Sequence, residues 1–407
     1  MADKPTHKGK ILILTSTFPR WENDNVTRFV FDFAKSLLPD FCPTVLAPHD
    51  SGAQKNEQME GVSIKRFRYW VTEKGQNIVY NGGALANFKK TPLYFLKVLC
   101  YTVVMFLRSV WITRREQIPI INPHWLIPQG FIAVAASYFT GAKIIITIHG
   151  GDIFSFHGKI MRSIKRWVLK KADEVVVNSS ATLEAAKSIY GAREYRVIPM
   201  GLDYQHFNKA ADTETIRKRH GLDGFTILFV GRLVKIKGVE YLLESLKLLW
   251  DENHHFKALI VGEGPKREKL HDYVVNNGME DAVEFVGWVD SAEIPVYYQA
   301  ADVFVGPSII SQEGRPEALG LVFAEALASG TPVIATDTGG IKDIIKHKEN
   351  GLLVSEKSAE EIKKALKVLD NDEQLRKTYA ENGMRHVKKT FSWKSVGKQY
   401  SNLLQKL

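Results

Sequence analysis

The amino-acid sequence predicts an α/β protein made of two doubly wound, Rossmann-like domains that face a central cleft. Short β-branched runs alternate with longer helical patterns along all 407 residues, and the alternation begins again after residue 200. Several of the runs are apolar throughout, as expected of parallel strands that are covered on both faces. The length fits two domains of roughly 100–200 residues each. A chain that is 45% hydrophobic and 25% charged can bury a large core, so general disorder is excluded.

The elements follow in order along each half. In the first half the predicted strands span residues 10–15, 44–47, 62–68, 118–122, 143–149, 174–179 and 195–199. Helices are predicted over 28–38, 129–139, 160–171 and 181–190. In the second half strands are expected at 226–230, 257–261, 283–286, 302–305, 332–335 and 352–354, with helices over 239–250, 266–275, 318–329, 359–369 and 373–389.

The domain boundary is expected near residues 200–203, after the last strand of the first half. Residues 1–200 then form an N-terminal domain, and residues 201–391 form a C-terminal domain. The last helix, 392–407, is expected to cross back to the N-terminal domain. In open α/β sheets ligands bind beyond the carboxyl ends of the strands, so function is sought on the loops that follow strands.

The charge is unevenly divided. The net charge is +10, yet residues 1–200 hold 27 basic and 15 acidic side chains, while the remainder hold 28 and 30. Residues 61–115 contain ten basic side chains and one acidic side chain among many aromatic and aliphatic ones, and 157–171 add six basic side chains. This pattern favours a surface helix on anionic lipid, hence a peripheral membrane protein. The alternative is a core-facing helix with solvated basic ends.

Two cysteines exclude a disulfide framework and a Cys-rich zinc site. The apolar stretch 11–14 is too short for the core of a signal peptide. The best candidate for a membrane span, 91–113, is interrupted by Lys97 and Arg108. We therefore expect a cytoplasmic protein without a transmembrane helix.

The strongest motif surrounds the start of a predicted helix. Gly320 falls where that helix begins, and a helix N-terminus with its free N–H groups binds anions. Glu317 lies just before the helix and Glu325 about one and a half turns into it. Carboxylates are strong acceptors for sugar hydroxyls, so this order suits a nucleotide sugar, which has hydroxyls on both sides of its diphosphate. Two solvated glutamates on an amphipathic helix are the alternative.

Two further loops follow strands in the same half. Arg232 and Lys237 lie in one loop and would neutralise a diphosphate, although this loop taken alone favours plain surface charge. Gly262 and Gly264 form a tight turn that lacks the third glycine of the dinucleotide-binding fingerprint.

In the first half, His149 ends an apolar strand and precedes two glycines, where it would hydrogen-bond a sugar hydroxyl or a backbone carbonyl. His124 also lies at a strand end, but among bulky apolar residues, which favours a structural role.

Together these motifs resemble the retaining glycosyltransferases of family four (group 1), which have the two-domain GT-B architecture. The resemblance covers nearly the whole chain, and Glu317 and Glu325 match its most specific motif, two glutamates separated by seven residues. The resemblance implies that His149, Glu317, Arg232 and Lys237 are the catalytic residues. It implies a donor-binding set of Gly231, Gly262, Gly264, Trp288, Val289, Gly320, Leu321, Val322 and Glu325.

The chain departs from the family after its first strand, where Thr27 occupies a position that is usually glycine. Close approach of the donor diphosphate to the backbone is therefore in doubt there. Arg20, Arg28 and His124 are instead expected on the acceptor side.

The resemblance implies an N-terminal domain that takes the acceptor and a C-terminal domain that takes the donor. It also implies the chemistry. A hexosyl unit would move from a UDP- or GDP-linked sugar to a glycan or lipid-linked acceptor, with retention, in polysaccharide or glycolipid biosynthesis. Neither a cofactor nor a metal is expected. Asp370 and Asp372 match an Asp-x-Asp metal motif, but they lie between two helices, and Asp favours helix caps.

Three alternatives remain open. One is another activity on the same fold, such as a sugar-nucleotide epimerase or a transferase to a soluble sugar phosphate. A dinucleotide-dependent dehydrogenase lacks its glycine fingerprint here. A nucleic-acid-binding protein is suggested by charge alone, without a recognisable motif.

Overall fold

The computed structural model describes residues 9–22, 24, 28–80 and 91–407. The chain divides into two compact units. The first comprises Met1–Asn178, Thr182–Gly201 and Trp393–Leu407, and the second comprises Ser179–Ala181 with Leu202–Ser392. Thr27, singled out above, lies outside the described residues.

Fourteen strands are present in the described part of the chain. The first unit holds β1 (Gly9–Leu14), β2 (Phe41–Pro48), β3 (Asn56–Met59), β4 (Val62–Phe67), β5 (Ile120–Pro123), β6 (Lys143–Ile148), β7 (Glu174–Val177) and β8 (Arg196–Val197). The second holds β9 (Thr226–Val230), β10 (Lys257–Val261), β11 (Val283–Gly287), β12 (Val303–Gly306), β13 (Val333–Thr336) and β14 (Gly351–Val354).

The α-helices of the described residues alternate with these strands. They are α1 (Phe29–Ser36), α2 (Pro92–Glu116), α3 (Phe131–Thr140), α4 (Lys159–Lys171), α5 (Ser180–Ile189), α6 (Tyr204–Asn208), α7 (Glu214–Arg219), α8 (Val239–Asp251), α9 (Arg267–Asn276), α10 (Ile294–Ala300), α11 (Leu321–Ala328), α12 (Ile341–Ile344), α13 (Ala359–Asn371), α14 (Glu373–Thr390) and α15 (Trp393–Leu404).

The first unit is built on an eight-stranded sheet in the order β3-β4-β2-β1-β5-β6-β7-β8. All neighbours are parallel except β3 and β4, which pair antiparallel. The polar strand β3 was not predicted, because its sequence Asn-Glu-Gln-Met has no apolar alternation. Central strands such as β1 and β6 are buried along nearly their whole length, which explains their continuous apolar runs.

The last helix belongs to the first unit, where α15 lies against α1. Gly397 allows this close approach, because a Cβ there would lie 2.5 Å from the carbonyl oxygen of Ser36. The buried hydroxyls of Tyr400 and Thr147 are 3.2 Å apart, so α15 also reaches the end of β6.

Helix α2 is continuous over 25 residues and begins with Pro92 after the N-cap Thr91, whose side chain accepts from the Tyr94 N–H. By length and composition it is apolar enough to cross a membrane, with a mean hydropathy of 1.7 over an 18-residue window. The expectation that Lys97 and Arg108 disqualify this segment is therefore wrong on those two criteria. One side of α2, including Tyr101, Met105 and Ile112, is buried in the core of the first unit.

The second unit has a six-stranded, all-parallel sheet in the order β11-β10-β9-β12-β13-β14. Two doubly wound parallel-sheet cores are the fold class that the sequence predicts. Helix α11 begins later than predicted, at Leu321, because Gly320 has a φ of +79° and ends the preceding loop. Helix α10 was not predicted as a helix.

Candidate active site

The candidate donor site lies on loops that leave the carboxyl ends of the parallel strands in the second unit. The loop after β9 carries Arg232, the loop after β10 carries Gly262, and Trp288 directly follows β11. Because all six strands are parallel, these loops emerge at the same edge of the sheet. The structure therefore places at one sheet edge residues that are separated by up to 56 positions in sequence.

Close packing between two of these loops explains a glycine that the sequence assigned to donor binding. Gly262 has a φ of +130°, and a Cβ at this position would lie 2.0 Å from the carbonyl oxygen of Gly231. Its N–H donates to the carbonyl oxygen of Gly287 at 2.7 Å. Gly262 thus joins three neighbouring strand ends, a role that it fills without a ligand.

Lys237 and Glu317 form the central ion pair of this unit. The Lys237 ammonium lies 2.6 Å from Oε2 of Glu317, and each side chain is less than one-fifth exposed. Lys237 is held at the end of its loop by Gly238, whose φ is +63° and whose Cα lies close to the carbonyl oxygen of Pro307. Two residues that the sequence predicted to be catalytic, from separate motifs, are therefore direct partners.

The backbone of Glu317 is fixed by a pair of glycines that follow β13. The Gly340 N–H donates to the Glu317 carbonyl oxygen at 3.0 Å. A Cβ at Gly339 would lie 2.1 Å from that same oxygen, so only glycine fits. This contact gives a physical reason for the Gly339–Gly340 pair, which begins nineteen residues after Gly320.

Gly320 is the N-cap of α11 and carries the left-handed conformation at which the loop becomes a helix. A Cβ at Gly320 would lie 2.7 Å from the ring of Phe323. Leu321 and Val322 form the first turn, where backbone N–H groups lack intrahelical acceptors. The N-terminus of α11 therefore has free backbone N–H groups at the position where the sequence predicts an anion-binding helix start.

Glu325 lies further along α11 and is partly exposed. The hydroxyl of the fully buried Tyr298 donates to its Oε2 at 3.2 Å. Burial raises the pKa of Glu325 to about 7, against the opposing effects of the Tyr298 hydrogen bond and of the charges of Lys237 and His206. The sequence did not single out Tyr298, because only the tertiary fold places α10 beside α11.

Arg232 differs from Lys237 in having no partner. It is exposed, and within the described part of the chain it forms no ion pair or side-chain hydrogen bond. A free guanidinium beside a lysine that is already paired gives this loop one cation ready for an anion. Trp288, which directly follows β11, is 67% exposed, and Val289 is partly exposed.

In the first unit, the fully buried His124 forms a pair with the partly exposed His149. His124 Nδ1 and His149 Nε2 are 2.9 Å apart, and the rings stack with 5.0 Å between their centroids. Burial lowers the pKa of His149 to about 3 and lowers that of His124 as well, so both rings are neutral at physiological pH. His124 has no exposed surface that could reach an acceptor.

The loop after β6 is shaped by Asp152, which directly follows the two glycines after His149. Asp152 Oδ1 accepts from the N–H groups of His149 and Gly150 at 3.3 and 3.0 Å, and its Oδ2 accepts from the Leu126 N–H. A buried carboxylate with three backbone donors fixes the exit of the strand and therefore the position of His149.

The two arginines expected on the acceptor side are both occupied. Arg20 pairs with Asp24 at 2.8 Å and with Asp50 at 3.3 Å. Arg28 lies 3.4 Å from Glu60. Each is a local structural ion pair in this structure, and neither guanidinium is free.

The Asp-x-Asp segment is a helix junction, as the sequence predicted. The Asp372 carboxylate caps α14 by accepting from the Leu375 N–H at 2.8 Å, and Asp370 pairs with His254. Among the described residues, no group of three His, Cys, Asp or Glu side chains is arranged to hold a metal ion.

Two family models match consecutive parts of this chain. Residues 26–206 match "Glycosyltransferase Family 4" and residues 212–386 match "Glycosyl transferases group 1". Two uncharacterized glycosyltransferases of Methanocaldococcus jannaschii are each 31% identical to this chain. The first alignment covers 62% of this chain and 65% of that relative. The second covers 72% of this chain and 78% of that relative. The chain belongs to the family 4 (group 1) glycosyltransferases.

Other relatives of this glycosyltransferase have named activities. It is 29% identical, over 68% of the chain and 73% of the relative, to the GDP-mannose-dependent α-(1-6)-phosphatidylinositol monomannoside mannosyltransferase of Mycobacterium tuberculosis. Among solved structures, HepE from Anabaena, determined in complex with UDP, has a TM-score of 0.77 and 20% identity over 98% of this chain and all of that one. At this identity the likeness shows the fold, which is GT-B.

Proposed function

We propose that this glycosyltransferase moves a hexosyl unit from a UDP- or GDP-linked sugar to a glycan or lipid-linked acceptor, with retention at the anomeric carbon, in polysaccharide or glycolipid biosynthesis. The observation that carries the proposal is the Lys237–Glu317 ion pair beside the start of α11. It combines a cation, a carboxylate and a helix N-terminus on one sheet edge, which is the chemistry that a nucleoside diphosphate sugar requires.

The leaving group is a diphosphate, so catalysis needs positive charge where negative charge develops. Arg232 supplies a guanidinium that is unpaired within the described part of the chain, and Lys237 supplies an ammonium. The N-terminus of α11 supplies backbone N–H groups and the positive end of the helix dipole. These groups together can stabilise the departing phosphate, and the proposed reaction therefore needs neither a metal nor a cofactor.

Two carboxylates are proposed to hold the sugars. Glu317 would orient the hexose hydroxyls once the donor phosphate has drawn Lys237 away from it. Glu325 would accept from the ribose hydroxyls. The exposed Trp288 and the adjacent Val289 are proposed to border the nucleotide, together with Gly231 and the turn containing Gly264.

Proton transfer is proposed to run through the donor itself. The departing phosphate oxygen accepts the proton of the acceptor hydroxyl on the face where the new bond forms, which preserves the anomeric configuration. The pKa of His149, lowered to about 3, makes its neutral ring a weak base, so we assign it a hydrogen bond to the donor sugar rather than the role of a base.

The test begins with the donor. Thermal-shift measurements against uridine, guanosine and adenosine diphosphate sugars should show a selective rise in melting temperature for one base, because a ligand of the folded state stabilises it. With that donor, free nucleoside diphosphate should be released only when an acceptor is present, and proton NMR of the product should show the donor's anomeric configuration. Turnover of the donor without an acceptor, to an isomeric nucleotide sugar, would instead establish the epimerase alternative.

We further propose that the enzyme works at the inner face of the cell membrane, attached through α2. Five large apolar side chains project from one ridge of this helix at intervals of four residues, and they are 43–60% exposed: Phe95, Leu99, Val103, Leu107 and Trp111. Four such steps span about 24 Å along the helix. Exposed apolar patches of this extent mark interaction sites.

The charge around this ridge supports anionic lipid as its partner. Arg108 and Arg115 lie against the Trp111 ring, with their guanidinium carbons 5.1 and 4.8 Å from its centroid. The only acidic residue of α2, Glu116, is paired with Lys65. An apolar groove of about 560 Å³ adjoins the ridge and is lined by Phe106, Leu107, Val110, Trp111, Arg114, Arg115 and Phe139. Aromatic rings with basic neighbours suit the headgroup region of a bilayer.

Liposome flotation tests the attachment. The wild type should float with phosphatidylcholine vesicles that contain phosphatidylglycerol, and less at high salt, because surface electrostatics are screened. Replacing Leu99 and Leu107 by Gln should abolish flotation. The matched control replaces Val275 and Val368, exposed apolar residues of the second unit, by Gln and should float as the wild type does. Absence of wild-type binding to either kind of vesicle would remove the membrane proposal and leave the transferase proposal intact.

A further inference from the structure

The hydrogen bond between His124 and His149 constrains which nitrogen of each ring is protonated. Their facing nitrogens, Nδ1 of His124 and Nε2 of His149, are 2.9 Å apart, so one of the two carries the shared hydrogen. His124 is buried and His149 is partly exposed, and the lowered pKa of each ring leaves both neutral, so each has a single N–H. Only two arrangements are possible.

In the first arrangement, His124 donates from Nδ1, and His149 carries its own proton on Nδ1. The outer nitrogen of His124, Nε2, is then an unprotonated acceptor. In the second arrangement, His149 donates from Nε2, and His124 must carry its proton on Nε2. That atom is sealed from solvent and has no hydrogen-bond partner in the described part of the chain.

The surroundings of His124 favour the first arrangement. The nearest ring is that of Phe33, with its centroid 4.8 Å away, and it offers no lone pair to a donor. A buried N–H without an acceptor is among the rarest defects of folded proteins, whereas an unfilled acceptor is tolerated more often. The pair therefore avoids the orphaned donor by keeping the His124 proton on Nδ1.

The orientation of His149 is fixed independently. Its backbone N–H donates to Asp152 Oδ1. Its ring contacts the rings of Phe29 and Trp125, with centroid distances of 5.1 and 5.2 Å. Trp125 has a φ of +75°, a strained conformation for a non-glycine residue that is held by its N–H bond to the Thr147 carbonyl oxygen. The remaining nitrogen of His149, Nδ1, forms no hydrogen bond with any described residue.

We propose that His124 is a positioning residue that holds His149 as its Nδ1–H tautomer, so that His149 offers a hydrogen-bond donor, and not an acceptor, to an oxygen of the substrate. The identity of that oxygen, a hydroxyl of the donor sugar, rests on the proposed function. The tautomer is a property of the free protein and does not depend on it.

The tautomer is read directly by ¹⁵N NMR of the full chain labelled at histidine, with the two residues assigned from the spectra of His149→Gln and His124→Asn. We expect His149 to show a protonated Nδ1 and an unprotonated Nε2 at neutral pH, unchanged at pH 5.5. A protonated Nε2, or an imidazolium ring, at His149 would overturn the proposal.

A pair of isosteric variants tests the consequence for catalysis. His124→Asn retains an N–H donor at the position of Nδ1, whereas His124→Asp offers only acceptor oxygens when ionised. We expect Asn to preserve the His149 spectrum and to lower kcat by less than about threefold. Asp should reverse the tautomer and lower kcat by about tenfold, the worth of one hydrogen bond.

A purely structural role predicts a different result. Both variants would then lose kcat in proportion to their fall in melting temperature, with no relation to the tautomer. An Asp variant with a reversed tautomer and the kcat of the wild type would also refute the proposal. Should the Asp variant fail to fold, the wild-type spectrum and the Asn variant still decide. An inactive wild type with the expected spectrum would contradict the proposed function and leave the tautomer assignment standing.

Discussion

The ammonium of Lys237 lies 2.6 Å from Oε2 of Glu317, although eighty residues separate them in the chain. One comes from the loop after β9 and the other from the segment before α11, and both side chains are mostly buried. In the ligand-free state each neutralises the other. Binding of a donor diphosphate would compete with Glu317 for the ammonium and leave the carboxylate available for sugar hydroxyls.

The first prediction concerns the stability of this pair. Lys237→Met and Glu317→Gln should each lower the free energy of unfolding by about 1–2 kcal/mol, because each leaves a mostly buried charge without its partner. The double variant should lose less than the sum of the two. Urea unfolding of all four proteins measures the coupling, and strict additivity would show that the pair contributes nothing.

The second prediction concerns turnover. Glu317→Ala should lose most of the donor-dependent release of nucleoside diphosphate, since it removes the residue that orients the sugar. Asp370→Ala should stay near wild type, because the Asp370 carboxylate pairs with His254 at the end of α13 and has no assigned part in the site. Equal activity of the two variants and the wild type in a steady-state assay would reject the site assignment.

The third prediction follows from the pKa of Glu325, which is about 7. A carboxyl group with a raised pKa stabilises the fold most below its unfolded pKa of about 4.5, and this stabilisation is lost as the pH rises through 7. The upper limit of the effect is roughly 3 kcal/mol. Unfolding free energies between pH 5 and 8 should therefore depend less on pH in Glu325→Gln than in the wild type.

The same ionisation should govern nucleotide binding. An ionised Glu325 is the stronger acceptor for ribose hydroxyls, so donor affinity should increase as the pH rises from 6 to 8, with a midpoint near 7. Isothermal titration at several pH values measures this. The Gln variant is the control, and a wild-type affinity that ignores pH would contradict the assignment to ribose.

The fourth prediction concerns the histidine pair, whose pKa values are lowered by burial. Neutral buried histidines contribute stability that is present above their unfolded pKa of about 6.5 and is lost as the pH falls below it. The first unit should therefore unfold more readily between pH 6.5 and 5. Replacing His124 by Asn should reduce this acid sensitivity in thermal melts, and an unchanged pH profile would show that the ring does not need to stay neutral.

The fifth prediction separates backbone strain from steric contact at the helix start. Gly320 and Gly314 have similar φ values, +79° and +72°, but a Cβ at Gly320 would meet the Phe323 ring at 2.7 Å and one at Gly314 would meet nothing within 4 Å. Gly320→Ala should cost about 2–3 kcal/mol and Gly314→Ala about 1 kcal/mol. Equal losses in urea unfolding would assign the whole effect to backbone conformation.

Local patterns in the sequence predicted most of the elements correctly. The strands 226–230 and 257–261 have the predicted bounds, because continuous apolar runs between loop residues identify buried parallel strands. The polar edge strand β3 and helix α10 were not predicted, because their formation depends on neighbours that are distant in sequence. The surface character of α2 was predicted from its basic and aromatic composition, whereas its continuous length was not.

The sequence by itself determined the fold class, the family and the residue types of the candidate site, since these depend on periodicity and on motifs of fixed spacing. Only the tertiary structure decided how those residues are paired. It pairs Lys237 with Glu317 and places the Tyr298 hydroxyl within hydrogen-bond distance of Glu325. It also buries His124 in contact with His149. Pairing sets charge state, tautomer and pKa, and these depend on burial and on distances between residues that spacing along the chain does not encode.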